Sequence, residues 1–165
     1  MDQRVGAVEG LSWLKGRPWR ASVLAGFGGF LIIGALALVR DATALPLIIP
    51  PFGASCVLVF GAPASPFARP RNVICGHLIA ALMGFLATSL FGFGVLGVAA
   101  GVGLAIATMM ITDTVHPPAG ANPIVVALLH PDLSFLVVPV LVGATAIVAS
   151  AKLYNALSRA SAIAG

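Results

Sequence analysis

Apolar residues in this chain gather into runs of membrane-spanning length, and prolines, glycines and charges collect between them. Four runs are long enough to cross a bilayer as helices: Ala21–Val39, Val73–Gly92, Phe93–Ile111 and Leu133–Ala151. At ~1.5 Å per residue, a run of nineteen covers roughly 28 Å, the depth of a bilayer core. Only Val73–Gly92 holds an imidazole, His77, and no span holds a charged side chain. The second and third spans meet at Phe91-Gly92-Phe93-Gly94, which predicts a tight connection.

Two further apolar stretches, Thr43–Ala62 and Thr112–His130, do not fit a continuous helix. Pro46, Pro50 and Pro51 interrupt the first, and Pro117, Pro118 and Pro123 the second. Inside a helix, proline removes a donor and clashes with the preceding turn, but it can open one. Each stretch therefore predicts an extended entry and then a half-helix that starts at membrane depth. Non-helical backbone at that depth persists only where it is buried in protein or lines a water-filled cavity.

The two stretches repeat one another. Pro50-Pro51-Phe52-Gly53-Ala54-Ser55 recurs 67 positions later as Pro117-Pro118-Ala119-Gly120-Ala121-Asn122. At the same offset Gly34 matches Gly101, Val59 matches Val126, Val73 matches Val140 and Gly76 matches Gly143. The unit is span, broken element, span, used twice at about 21–92 and 93–157 within one domain covering 1–165. The predicted fold class is an all-α membrane protein: four full transmembrane helices plus two Pro-broken half-helix elements, arranged as an internal repeat. Length allows the broken elements either to cross or to re-enter. Crossing leaves only Arg40 opposite the other basic residues, which the positive-inside rule favours. Crossing also inverts one unit relative to the other and leaves both termini cytoplasmic. Inverted repeats with paired broken helices are a recurrent transporter plan.

Composition agrees with the pattern. Of 165 residues, 59% are hydrophobic and 8% charged, against about 25% charged in soluble domains; mean hydropathy is +1.07. The net charge of +4 comes from bases that flank apolar spans. They read as topology determinants and lipid contacts, so the bilayer is an expected partner and nucleic acid is not. Residues 1–20 carry Asp2, Arg4, Glu9, Lys15, Arg17 and Arg20 and do not resemble a cleavable signal. With Trp13 and Trp19 they predict an interfacial segment. The lack of a transit-peptide-like extension points to a bacterial inner membrane. Cys56 and Cys75 have no metal-ligand spacing and form no disulfide framework, and no cofactor or metal is expected. Gly97 and Gly101, with Ala99 and Gly103 one step behind, predict close helix packing within the chain or between chains. A homo-oligomer is expected, because so short a bundle encloses a pathway with difficulty.

The half-helix starts are the candidate substrate site. Exposed N–H groups and the positive ends of two helix dipoles favour a small anion. The residues concerned are Pro51, Phe52, Gly53, Ala54 and Ser55 in the first motif, and Pro118, Ala119, Gly120, Ala121 and Asn122 in the second. His116, Asp113 and His77 are gate or proton-coupling candidates, since imidazole titrates near neutrality. His116 could instead fix the helix start through a hydrogen bond. Asp113 could pair with His116 or face water. His77 lies one turn into its span, close enough to the interface to snorkel. His130 reads as a helix C-terminal cap at the surface. No metalloprotease, nucleophile-elbow or phosphate-loop signature is present. The spacing does not support a triad of Ser55 with His77 or His116 and Asp113, and an enzyme is not expected.

At Thr112–Pro123 the chain resembles the HPP family of small integral membrane proteins, whose tripeptide is His116-Pro117-Pro118 here. The resemblance extends from Trp19-Arg20 to the last span. It includes Pro50-Pro51-Phe52-Gly53-Ala54-Ser55 and the segment Pro-Phe-Ala-Arg-Pro-Arg-Asn at 66–72. It implies four transmembrane helices. Plant and cyanobacterial members are associated with nitrite transport, so it also implies nitrite or a similar small anion as substrate. Some members carry C-terminal CBS domains; regulation of that kind is not expected here. The function expected is a small-anion transporter or channel, and the alternative is a non-transporting membrane scaffold or accessory subunit.

Overall fold

The computed structural model describes residues 19–163. Helices α1 (Trp19–Thr43), α2 (Pro50–Gly61), α3 (Pro70–Phe91), α4 (Val95–Ile111), α5 (Asn122–Leu129) and α6 (Val142–Ile163) form the chain's frame. No strand occurs among the described residues. The interfacial segment expected at 1–20 lies outside them except for Trp19 and Arg20, which begin α1.

Among the described residues, three stretches are long and apolar enough to cross a bilayer: Trp19–Thr43, Pro70–Phe91 and Leu133–Leu157. The expected span Phe93–Ile111 is the 17-residue helix α4, shorter than the others. The expected span Leu133–Ala151 is not one regular helix. It opens with a 3-10 turn, Leu133–Leu136, and a π-turn, Val137–Leu141, in which Val138 is extended (φ −125, ψ 116) ahead of Pro139. The Pro139 ring disfavours helical geometry at the residue before it, so α6 starts only at Val142.

Local sequence sets the other ends. α2 opens with Pro50 and Pro51 behind an extended Ile49 (φ −129, ψ 146), and a 3-10 turn at Pro117–Ala121 opens behind an extended His116 (φ −134, ψ 99). α3 also begins at a proline, Pro70, and stops at Gly92, whose φ of 74 closes the turn into α4. His130 ends α5 in the left-handed region (φ 47, ψ 46).

α3 and α4 form an antiparallel hairpin, and α5 packs against both. Pro123 at the head of α5 sits between Gly84 and Gly101: a Cβ on Gly84 would lie 2.8 Å from Pro123 Cα, and one on Gly101 2.9 Å from Pro123 Cβ. Small residues let backbones approach in lipid, where dispersion rather than water exclusion holds helices together. Buried Gly97 and Gly101 thus serve packing within the chain, whereas Ala99 and Gly103 face outward. α2 packs against α1 and α6 and against the Pro117–Ala121 turn. The main core gathers Phe52, Val59 and Phe60 of α2, Val73 of α3, Val126 of α5 and Ala144 and Ile147 of α6. α1 is peripheral, with only Ile32 and Leu36 buried and Phe27, Phe30 and Leu38 exposed.

Candidate functional site

Both proline motifs deliver a polar side chain to one point in the core. Ser55, on the second turn of α2, and Asn122, at the head of α5, are fully buried, as are His77 of α3 and His116 ahead of the 3-10 turn. Ser55 Oγ lies 2.8 Å from His77 Nε2 and 2.9 Å from His116 Nε2. His116 Nδ1 donates to the Phe67 carbonyl at 2.8 Å. Asn122 Nδ2 donates to the His77 carbonyl at 2.8 Å and lies 3.1 Å from His77 Nδ1. Phe52, also fully buried, sets its ring edge-on to His77 with centroids 5.3 Å apart.

The local reasons are visible in sequence. Ser55 is one turn beyond Pro51, so its hydroxyl also reaches the Pro51 carbonyl at 3.2 Å. Gly76 lets the 112–116 strap lie against α3: a Cβ there would be 2.8 Å from His116 Cβ and 2.9 Å from the Thr114 carbonyl oxygen. Asn72, one turn earlier on α3, clamps the same strap by donating to the Val115 carbonyl at 2.9 Å. Among the described residues no buried side-chain nitrogen or oxygen is left without a partner. In a medium without water that satisfaction is required, because each orphaned polar group costs several kcal/mol, about the value for transfer to hydrocarbon.

The remaining predicted residues are placed differently. Ala119 is buried, Gly120 and Ala121 are half-buried, and Pro51 is buried. Gly53 and Ala54 face outward, Gly53 into a groove of about 390 Å³ between α1 and α2. Pro118 is half-buried at the turn. The backbone offers fewer donors than a helix start normally does. Two first-turn residues of each motif are prolines without N–H, and the next amide is spent on a turn: Phe52 N to the Ile49 carbonyl at 3.0 Å, Ala119 N to the His116 carbonyl at 2.9 Å. The donors gathered at this point are side chains.

One histidine expectation changes, and the alternatives left open for Asp113 are narrowed to the exposed one. His77 does not snorkel; its ring points inward and is fully buried, because Phe52 and the Ser55–Asn122 pair enclose it. Asp113 does not pair with His116. It is exposed, at φ 54, with its carboxylate 3.6 Å from Arg71, whose Nη2 also donates to the Thr112 carbonyl at 2.7 Å. Ser55 does meet both histidines, which its spacing did not suggest, but without the carboxylate. His130 is exposed and caps α5 as expected, its ring tilted against Phe93 with centroids 3.9 Å apart. The carbonyls of Phe67 and Pro51 and the clamp of Asn72 carried no sequence signal, since any residue supplies a carbonyl. A group of three or more histidine, cysteine or acidic side chains able to hold a metal does not occur among the described residues.

Long apolar helices built around a fully bonded polar core define an all-helical integral membrane protein. The family description "HPP, transmembrane region" matches residues 15–163. The chain belongs to the HPP transmembrane family. Two transmembrane proteins of Dictyostelium discoideum are similar to it. One is 35% identical over 147 residues, covering 82% of this chain and 51% of the relative. The other is 31% identical over 149 residues, covering 84% and 47%. The chain spans about half the length of the curated relatives it matches. No solved structure matches it.

Proposed function

We propose that this protein is a small-anion transporter or channel, with nitrite as the leading substrate and the pathway at the meeting point of the two proline motifs. The observation that carries the reading is the convergence of Ser55, His77, His116 and Asn122, all fully buried, in a membrane protein. Buried polar side chains at membrane depth are costly and mark ion and substrate pathways. The cluster offers neutral hydroxyl, amide and imidazole N–H donors without fixed charge, which suits an anion that has to leave again. Gly53 and Gly120 lie two residues before Ser55 and Asn122 in the two motifs, and a Cβ at either meets nothing within 4 Å. His116 and His77 would gate the site or couple it to protons, with Asp113 outside at the strap's entry.

The same reading takes α4 as a fourth, short span and the halves 21–92 and 93–157 as inverted units. Several contacts support this. Gly28, early in α1, packs on Phe60, late in α2, so residues 44–61 return the chain to the side where α1 begins. His130 meets Phe93 at the α3–α4 turn, so residues 112–130 run the opposite way. The matched glycines are also exchanged: Gly76 of the first unit packs on His116 of the second, and Gly143 of the second on Phe52 of the first. Arg69 and Lys152 line one small cavity, away from Arg40, which fits a cytoplasmic side bearing both termini of a cell-membrane protein. The exposed apolar face of α1 fits a homo-oligomer contact. No catalytic role is proposed, since among the described residues no carboxylate bonds to either histidine of the Ser55 cluster.

The test is nitrite flux into proteoliposomes, compared with empty vesicles and with a Gly53→Leu/Gly120→Leu double variant. A Cβ at either glycine meets nothing within 4 Å, and the fold of the double variant is verified before its flux is read. Flux in the native protein that disappears in the folded variant supports the reading. No flux under a voltage or pH gradient, from inserted and folded protein, counts against it. The complete internal pairing of the cluster favours the second reading, a non-transporting scaffold, which predicts that outcome.

A further inference from the structure

The polar cluster has a determinate order of hydrogens. The Phe67 carbonyl can only accept, so His116 carries a hydrogen on Nδ1. A neutral His116 then presents a bare Nε2 to Ser55 Oγ at 2.9 Å, and the single hydroxyl hydrogen goes to it. With that hydrogen used, Ser55 Oγ accepts from His77 Nε2 at 2.8 Å. His77 therefore has a bare Nδ1, which faces the Asn122 amide nitrogen at 3.1 Å. The amide is oriented independently, because Asn122 Nδ2 also donates to the His77 carbonyl. Two acceptor-only carbonyls, one at each end, thus impose the same order on the groups between them.

We infer that His77 and His116 are held in opposite tautomers, and that the site takes up one excess proton, on His116, through rotation of the Ser55 hydroxyl alone. The proton adds to His116 Nε2 and converts imidazole to imidazolium without breaking a bond. The Ser55 hydrogen swings to the Pro51 carbonyl, 3.2 Å from Oγ, and Oγ then accepts from both rings. Every donor keeps a partner and no heavy atom has to move. His77 is the poorer recipient: a hydrogen on its Nδ1 would oppose the Asn122 amide hydrogens and find only Asn122 Oδ1, at 3.4 Å. A second proton is opposed by the first, since the ring centroids are 5.0 Å apart.

Among the described residues, the surrounding elements supply no carboxylate to either ring. α2 contributes Cys56, and α3 contributes Cys75 and Arg71. The strap contributes Asp113, turned out to Arg71, and the loop before α3 contributes Arg69. On α6 the candidates are Lys152, beside Arg69, and Tyr154, edge-on to Phe60; α5 ends in His130, tilted against Phe93. The imidazolium therefore lacks a counter-charge among the described residues, which a monovalent anion would supply. This last step rests on the transporter reading and makes transport one anion with one proton.

The test is ¹⁵N NMR of histidine-labelled protein in lipid bilayers. Well above the histidine range, one buried ring should show protonated Nδ1 and the other protonated Nε2, and His116→Gln should remove the Nδ1–H signal. On acidification His116 should become doubly protonated first. Ser55→Ala removes the acceptor of the new N–H and should lower His116 proton affinity roughly tenfold, a shift of about one pH unit; Ser55→Thr should restore it. Both rings in the same tautomer in the native protein, or equal midpoints with and without the hydroxyl, would overturn the inference. Opposite tautomers alongside absent flux would uphold the proton site and overturn both the coupling and the transporter reading. Flux alongside matching tautomers would uphold the transporter reading and overturn the proton site and the coupling with it.

Discussion

Gly76→Ala tests whether the cluster depends on the close approach of the 112–116 strap to α3. The added Cβ would lie 2.8 Å from His116 Cβ, 2.9 Å from the Thr114 carbonyl oxygen and 3.4 Å from Met109 Sδ. The thioether can swing away, but the other two atoms move only with the backbone. Contact distances between heavy atoms are ~3.5–4.0 Å, so the strap has to retreat by roughly 0.6–1 Å. That movement stretches the His116 bonds to Ser55 and Phe67 and the Asn72 bond to Val115. Overpacking costs ~1–3 kcal/mol, and a weakened buried hydrogen bond adds ~1 kcal/mol. Replacing glycine within a helix returns up to ~1 kcal/mol. The net expectation is a loss of about 2–3 kcal/mol. The matched control is Gly103→Ala on α4, where a Cβ meets nothing within 4 Å and a gain of up to ~1 kcal/mol is expected. Reversible unfolding in bicelles, followed by steric trapping, measures both. Gly76→Ala as stable as Gly103→Ala would show that the strap is not held where this account puts it.

Other substitutions probe the rest of the core. Asn122→Ala leaves the His77 carbonyl and Nδ1 without their donor and should cost ~1–3 kcal/mol by the same unfolding assay, while an exposed change such as Leu128→Ala should cost under ~0.5 kcal/mol. Asp113→Asn should change stability by no more than ~0.5 kcal/mol, because its ion pair with Arg71 is exposed; a larger loss would mean the carboxylate has a buried partner. The Asp132 carboxyl is held below its ordinary range by the Ser134 side chain and amide. A carboxyl lowered on folding stabilises above its unfolded value and loses that contribution as pH falls through the folded one. The Leu133–Leu136 turn should therefore loosen only in strong acid, read as faster Ser134 amide exchange after correction for intrinsic rates, and Asp132→Asn should abolish that dependence.

Much of the architecture was legible in the chain because it follows local rules. Double prolines that cannot lie inside a helix open α2 and the turn before α5 at the positions expected. The apolar lengths of α1 and α3 match their spans to within a few residues at each end. Leu133–Ala151 was less legible: a proline within an apolar run can kink it or delay its start, and only the packed chain chose. His77 was misplaced for a similar reason. Its distance from the helix start suggested the interface, but helix rotation turned it inward against Phe52.

Sequence alone determined that this is a helical membrane protein interrupted twice by a similar proline motif, because hydropathy and proline geometry are properties of neighbouring residues and a repeated motif is read directly along the chain. Only the tertiary structure decided which polar groups meet. Ser55 reaches His77 across 22 positions and His116 across 61, and no periodicity encodes either distance. The fold brings them together because Gly76 lets the strap close on α3, and because in a nonaqueous interior each buried polar group has to find its partner within the protein.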